Sequence, residues 1–230
     1  YWTPSPAPLR LGIAGLGTVG IGVVKIVQNH PDLIALRSGR AVQITAICAR
    51  DRTRNRDADL SAYRWEDDAM AVATARDVDV FVELVGGDSG IAKDSIEAAL
   101  RSGKDVVTAN KALLAEDGPG LHAAAAEAGV DLYYEAAVAG AIPLLRPLRE
   151  SLAGDQLRRV VGIVNGTTNY ILSRMAETGA GFAEALAEAT ELGYAEADPT
   201  ADVEGHDAAA KAAILATIAF GAPYTLDQVA

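Results

Sequence analysis

The chain has 230 residues, of which 50% are hydrophobic and 5% aromatic, and its formal net charge is −11 at pH 7. This length can bury a core for one or two domains. The acidic charge argues against a nucleic-acid surface, which needs clustered lysine and arginine. No apolar run approaches the ~20 residues that span a bilayer. The single cysteine, Cys48, cannot form an internal disulfide, so we expect a core thiol in a cytoplasmic protein without nucleic-acid or membrane partners.

The first predicted element is a strand over Leu9 to Ala14, and a glycine-rich turn follows it. That turn has the sequence Gly15-Leu-Gly-Thr18-Val19-Gly20. It leads into a predicted helix with apolar residues at helical spacing, which stops near His30. In such a strand, turn and helix, the first glycine allows the tight turn and the second lets a pyrophosphate approach the backbone. The third permits close packing, and the helix N-terminus offers N–H donors. The pattern predicts dinucleotide binding by Gly15, Gly17, Thr18, Val19 and Gly20.

Further strand-like runs occupy Val42 to Ala49, Val78 to Val85, Asp105 to Thr108 and Val130 to Tyr134. Segments with helical patterning separate most of them, and Asp88 or Ser89 can cap the one that contains Ile91 and Ile96. Alternating strands and helices predict an α/β fold with a Rossmann-type, doubly wound parallel sheet.

The end of the second predicted strand bears on the choice of cofactor. An arginine at this place can receive the 2′-phosphate of NADP, whereas a carboxylate bonds the ribose of NAD. Arg50 occupies the position, so we expect NADP(H) to be preferred, and Asp51 keeps NAD(H) open. A solvated charged loop is the alternative interpretation.

Lys111 follows the fourth predicted strand at its carboxyl end, the side of a parallel sheet where ligands bind. It could face the nicotinamide, or it could be a solvated loop charge.

The alternation breaks over residues 136–143, which divides the chain into a dinucleotide-binding domain, 1–138, and a substrate domain, 139–230. In the second part we predict a helix over Leu144 to Leu152 and a strand over Leu157 to Val164. The turn Asn165 to Tyr170 then opens a helix capped by Thr167 or Thr168. The polar groups of this turn either line a ligand cleft or only cap the helix.

Asp207 and Lys211 are four residues apart in an alanine-rich run, so they share one face of a predicted helix. A carboxylate there can orient an ammonium that donates a proton to a substrate. A routine surface ion pair has the same spacing.

Together these motifs resemble the homoserine dehydrogenase family. The resemblance rests on the glycine turn and on five further blocks in family order: Val82 to Gly87, Val107 to Lys111, Glu135 to Pro143, Asn165 to Leu172 and Gly193 to Lys211. The last block is specific to the family, whereas the first occurs in many nucleotide-binding proteins.

The resemblance implies reversible reduction of L-aspartate 4-semialdehyde to L-homoserine, a step of threonine, methionine and isoleucine biosynthesis. Lys211 would be the proton donor and Lys111 would lie beside the nicotinamide. Three acids, Glu196, Asp202 and Asp207, would hold the substrate, and Gly86 and Gly193 would join the cofactor contacts. A monovalent cation, usually sodium, would bind around Glu135, Val138, Gly140 and Ile142.

Family members continue past the Lys211 helix, so we expect the α+β substrate and dimerisation domain to be incomplete here. We also expect a homodimer or a higher homo-oligomer. Two other functions remain open. One is a related nicotinamide oxidoreductase with another aldehyde or sugar substrate, and the other is a nucleotide-binding module without catalysis.

Overall fold

The structure is a computed structural model that describes residues 6–195 and 198–230. The chain divides into two compact units, one ending at Ala137 and one beginning at Val138. Among the described residues, no helix has the length and apolar character needed to cross a membrane.

The first unit is built on a sheet of six parallel strands in the order β3-β2-β1-β4-β5-β6. This is the strand order of the Rossmann fold, so the predicted doubly wound sheet is confirmed. The strands are β1 Leu9–Ala14, β2 Val42–Cys48, β3 Arg64–Trp65, β4 Val80–Glu83, β5 Asp105–Thr108 and β6 Leu132–Tyr133. β3 escaped prediction because two residues have no periodicity to read.

Five helices connect these strands: α1 Thr18–Asn29, α2 Pro31–Ser38, α3 Ala69–Thr74, α4 Ile91–Arg101 and α5 Lys111–Ala128. The predicted cap of α4 by Asp88 or Ser89 is wrong. Its N-cap is Gly90, with φ +63° and no side-chain cap, because the chain enters the helix through a left-handed glycine that a longer side chain would strain.

Neighbouring residues of β1 show how both faces of the sheet are covered. Ile13 is fully buried in an apolar cluster with Val24 of α1 and Ile47 of β2. The adjacent Gly12 faces the other way, where a Cβ would lie 2.6 Å from Val72 of α3. Successive side chains of a strand point to opposite faces, so β1 is packed between helices on both sides.

All the regular elements of the second unit, over residues 138–195 and 198–230, are helical. Its elements are a π-helical turn, Pro147–Ser151, then α6 Gly166–Thr178, α7 Phe182–Glu191, α8 Thr200–Val203, α9 His206–Phe220 and a 3₁₀ turn, Leu226–Gln228. Ile171 of α6 packs on Ala185 and Ala189 of α7, and α9 buries Ala213 and Ile214.

The predicted strand over Leu157 to Val164 is wrong. The segment has no regular structure, and Val161 and Ile163 are 74% and 79% exposed. A strand persists only when a neighbouring strand takes its backbone hydrogen bonds, and no such partner occurs in the described part of this unit.

Candidate active site

The glycine turn follows β1 at the point where the strand order reverses. The amide of Gly15 donates to the carbonyl of Cys48 at 3.0 Å, and the amide of Leu84 donates to Ala14 at 2.7 Å. Gly15 has φ +96°, and a Cβ on it would overlap the carbonyl of Leu84. A Cβ on Gly20 would in turn overlap the carbonyl of Gly15. Both positions therefore require glycine.

The N-terminus of α1 has the properties of a phosphate site. Gly17 is its N-cap and offers no side-chain cap, and the first turn has no acidic residue. A Cβ on Gly17 would meet no atom within 4 Å, so only open space lies over this backbone. Uncapped N–H groups at a helix N-terminus attract anions. The residues present thus fit the diphosphate of a dinucleotide.

A cavity of about 650 Å³ extends from this turn along the carboxyl ends of β1, β2 and β4. Gly15 and Gly17 form one part of its wall, Cys48 and Arg50 another, and Val85 a third. Its volume suits a large cofactor, and its place at the strand reversal is where ligands of such sheets bind.

The charged loop after β2 lines the same cavity and contains groups of both signs. Arg50 and Arg54 are exposed and, within the described residues, their guanidinium groups make no hydrogen bond or ion pair. Asp51 instead accepts from the hydroxyl and amide of Thr53, at 2.7 and 2.8 Å, which lowers its pKa. The arginines are available to a ligand, while one oxygen of Asp51 is occupied by its own loop.

Arg56 ties this loop to the glycine turn. Its guanidinium donates to the carbonyl of Leu16 at 3.0 Å, of Arg54 at 3.0 Å and of Asp51 at 2.7 Å. Nothing in the sequence signals this role, because an arginine that binds three carbonyls has the same sequence pattern as any other charged loop residue.

Gly86 and Lys111 lie at the carboxyl edge of the sheet, after β4 and β5. Gly86 is exposed with φ +80°, and Lys111 is the first residue of α5. Beneath them the Glu83 carboxylate is fully buried. Sequence reasoning missed Glu83, although a lone acid at the end of an apolar strand could have drawn attention to it.

In the second unit, Lys211 and Asp207 lie on one face of α9 as predicted. The ammonium donates to Asp207 Oδ2 at 2.7 Å and to the carbonyl of Val164 at 2.6 Å. The side chains are only 18% and 7% exposed, unlike a routine surface pair. An ammonium has three N–H donors, and the third of Lys211 has no partner in the described part of the chain.

Asn165 joins the acids of this cluster, and sequence reasoning had placed it only within a turn. Its Nδ2 donates to Asp202 at 2.7 Å and to Asp207 at 2.8 Å. Its Oδ1 accepts from the amide of Thr168, so Asn165 is the N-cap of α6. The predicted caps, Thr167 and Thr168, are wrong, since Asn165 precedes the helix and has a carbonyl that reaches its third residue.

The remaining predicted site residues belong to both units of the chain. Glu196 lies outside the described residues, and Gly193 follows α7 with φ +80°. Glu135 begins the 3₁₀ turn Glu135–Ala137 of the first unit. Val138, Gly140 and Ile142 belong to the second unit, where Val138 is buried and Ile142 is 63% exposed. No group of three His, Cys, Asp or Glu side chains in the described ranges could hold a metal.

Comparison with known proteins gives matches in both units. The model of the homoserine dehydrogenase NAD-binding domain matches residues 15–135, and the homoserine dehydrogenase model matches residues 143–230. A homoserine dehydrogenase of Corynebacterium glutamicum is 52% identical over 219 residues, which are 95% of this chain and 49% of that protein.

Solved structures, among them the following two, are also similar to this chain. A homoserine dehydrogenase from Thiobacillus denitrificans has a TM-score of 0.89 at 41% identity, with 96% of this chain and 51% of that chain covered. A hyperthermophilic archaeal homoserine dehydrogenase in complex with NADPH has a TM-score of 0.79 at 26% identity, with 97% and 75% covered.

The chain spans about half the length of the curated relatives it matches. The NAD-binding model nevertheless covers more than half of the 230 residues by itself, and the second model covers most of the remainder. The chain belongs to the homoserine dehydrogenase family.

Proposed function

We propose that the protein interconverts L-aspartate 4-semialdehyde and L-homoserine with a nicotinamide cofactor, as a step in threonine, methionine and isoleucine biosynthesis. The observation that carries the proposal is the half-buried Lys211 ammonium, fixed between Asp207 and the Val164 carbonyl with one donor left over. Family membership and the uncapped glycine turn of the first unit support it.

In this mechanism the bound reduced nicotinamide supplies a hydride to the aldehyde carbon. Negative charge then builds on the aldehyde oxygen, and Lys211 stabilises it and donates the proton that completes the alcohol. Asp207 and Val164 hold the Lys211 ammonium in place during this transfer. In the reverse direction the neutral amine of Lys211 takes the proton back from the alcohol.

The substrate also has an amino group, which we assign to the acids Glu196, Asp202 and Asp207. Asp202 and Asp207 are already brought together by Asn165, which supports their acting as one unit. For Glu196 the proposal rests on the sequence resemblance. Lys111 is proposed to lie beside the nicotinamide, since it begins α5 at the carboxyl edge of the sheet.

The direct test is the absorbance of reduced nicotinamide after addition of L-homoserine with NADP or NAD at alkaline pH. Proton release favours oxidation under these conditions. Homoserine-dependent reduction is the expected result. Nucleotide binding without turnover would support the second candidate, a cofactor-binding module, and turnover of a different alcohol would support a related oxidoreductase.

We further propose that NADP(H) is preferred over NAD(H), because Arg50 and Arg54 line the cavity without an ion pair in the described chain. Replacing Arg50 with alanine should raise the KM for NADP about tenfold and leave that for NAD within twofold. Arg52→Ala is the matched control, because Arg52 stacks 5.2 Å over the Trp65 ring. Equal effects of the two substitutions would contradict the preference.

A monovalent cation, sodium by resemblance, is proposed for residues Glu135 to Ile142. Two alanines of this segment, Ala139 and Ala141, have φ of 54° and 68°, and such left-handed backbone is common at ligand clamps. NaCl should raise the thermal midpoint more than choline chloride at equal ionic strength. Glu135→Gln should reduce that difference, and Glu127→Gln should not.

We also propose a homodimer or a higher homo-oligomer. Val161, Ile163 and Leu172 of the second unit are 63–79% exposed, and large apolar side chains in such numbers favour association. Light scattering after size exclusion should give at least twice the mass of one chain. A monomer at every concentration would contradict the proposal.

A further inference from the structure

The buried carboxylate at the end of β4 organises two loops of the cofactor site. Glu83 is fully buried and accepts three hydrogen bonds. Its Oε1 receives the amides of Val85 at 2.7 Å and Gly86 at 2.9 Å, and its Oε2 receives the Thr108 hydroxyl at 2.6 Å. One side chain therefore shapes the loop after β4 and links it to the end of β5.

The chain of hydrogen bonds continues from Thr108 and returns to the same loop. The amide of Asn110 donates to Thr108 Oγ1 at 2.9 Å, and Asn110 Nδ2 donates to the carbonyl of Gly87 at 2.7 Å. Asn110 Oδ1 accepts from the amide of Leu113 and so caps α5. A closed ring thus fixes the start of α5 relative to the loop after β4.

The two segments held by this ring are the ones that contain Gly86 and Lys111. Gly86 and Gly87 have φ of 80° and 96°, and this backbone is stabilised because the Gly86 amide donates to Glu83 and the Gly87 carbonyl accepts from Asn110. Lys111 is the first residue of α5, directly after the capping residue Asn110. A change at Glu83 would therefore move both segments together.

We propose that Glu83 is a positioning residue for cofactor binding, which acts through Thr108 and Asn110 on the Gly86 loop and on Lys111. This rests on the proposed function, since it takes these two segments to border the nicotinamide. A carboxylate suits the role because it accepts at both oxygens, whereas a glutamine would present an N–H to the Thr108 hydroxyl.

The test is fluorescence titration of reduced cofactor into the protein and into Glu83→Gln, Thr108→Val and the double variant. Each single substitution should weaken affinity about tenfold, the effect of one disturbed buried hydrogen bond. Because Glu83 and Thr108 belong to one ring of hydrogen bonds, the double variant should have nearly the same cofactor affinity as the single variant that binds more weakly. Additive losses would mean independent structural damage and would overturn the proposal.

Asp79→Asn is the matched control. Asp79 directly precedes β4 at the opposite edge of the sheet, where Arg10 pairs with it at 2.6 Å. This substitution should lower the thermal midpoint but leave cofactor affinity within twofold. If wild type binds no cofactor, the proposed function fails. If wild type binds and Glu83→Gln binds equally well, only the positioning role fails. If Glu83→Gln does not fold, the same comparison is made with Thr108→Val, and equal cofactor affinity of this variant and the wild type would contradict the positioning role.

Discussion

The side chain of Lys211 is less exposed to water than those of Lys25 and Lys93, which also pair with an acid. It is 18% exposed and its partner Asp207 is 7% exposed, whereas the ammonium of Lys93, which pairs with Asp117 at 2.6 Å, belongs to a side chain that is 36% exposed. A shielded pair is held in one geometry by its neighbours, and removing one partner leaves an uncompensated buried charge. This is the setting in which a lysine can deliver a proton to a fixed point.

Lys211→Ala should therefore lower turnover about 10² to 10⁴-fold, the usual contribution of a positioned proton donor. Cofactor affinity should stay within twofold, because the glycine turn belongs to the other unit. Steady-state rates and fluorescence titration measure the two effects. Lys93→Ala is the control and should change neither. Near-normal turnover in Lys211→Ala would overturn the assignment of the donor.

The side-chain amide of Asn165 links two acids, Asp202 and Asp207, by donating a hydrogen bond to each. Asn165→Asp keeps the oxygen that caps α6 but replaces the donor to Asp202 and Asp207 with a third carboxylate. Like charges disfavour one another, so the free energy of unfolding should fall by about 1–3 kcal/mol. The loss should be greater at pH 8 than at pH 5, where the added carboxyl group can hold its proton.

Thermal denaturation at the two pH values checks this prediction. The matched control is Asp68→Asn, the reverse exchange at the N-cap of α3, where Asp68 accepts from the amide of Ala71 at 2.8 Å. Asparagine and aspartate cap equally well, so this variant should change little. Equal losses in both variants would mean that only capping matters.

At the scale of one element, α1 contains two glycines, Gly20 and Gly22, and Gly17 is its N-cap, and the three have different tasks. A Cβ on Gly20 would overlap the Gly15 carbonyl, whereas Cβ atoms on Gly17 and Gly22 would meet nothing within 4 Å. Gly20→Ala should destabilise the fold by more than 1 kcal/mol, roughly, through overpacking. Gly22→Ala should stabilise it by about 0.5–1 kcal/mol, because alanine favours a helix interior.

Gly17→Ala separates binding from folding. The fold should tolerate it, since φ is −76° and the space is open, but the new methyl group would fill the place proposed for the diphosphate. We expect cofactor affinity to fall at least tenfold, roughly, while urea denaturation changes by less than about 1 kcal/mol. Unchanged cofactor affinity would contradict the proposal that the diphosphate binds at this turn.

The elements differ in how far the sequence alone could define them. β1 and β5 have the predicted bounds, because buried parallel strands are short apolar runs with clear turn signals. The segment from Leu157 to Val164 has the same apolar character but forms no strand, since pairing depends on a partner that local sequence does not describe. Glu83, Asn165 and Arg56 were missed because their roles come from contacts 25, 42 and 40 residues away along the chain.

For the whole molecule, carboxylates that pair with arginine make the free energy of unfolding depend on pH. Arg10 lowers the pKa of Asp79, and Arg64 lowers that of Asp77, through charged hydrogen bonds. A depressed pKa contributes stability above the unfolded value, near 4, and this stability is lost as the pH falls through the folded value. Urea denaturation should therefore show a declining free energy of unfolding below about pH 4.

Asp79→Asn should lower stability at neutral pH and flatten this decline, because the variant can no longer bind the proton. Asp155→Asn is the control, since Asp155 is exposed and its carboxylate has no hydrogen-bond partner in the described residues. If the free energy of unfolding of Asp79→Asn declines as steeply with falling pH as that of the wild type, the acid sensitivity does not come from Asp79.

The three carbonyl bonds of Arg56 divide the charged loop after β2 into a part that faces the cavity and a part that supports it. Arg50 and Arg54 present side chains to the cavity, while Arg56 binds three backbone carbonyls, lies 5.8 Å over the Trp65 ring and anchors that loop on the glycine turn. Under the proposed preference for NADP(H), we therefore expect that exchanging residues 50–54 together changes nucleotide preference, provided that Arg56 is kept. An exchange that includes Arg56 would remove the three hydrogen bonds that hold this loop against the glycine turn.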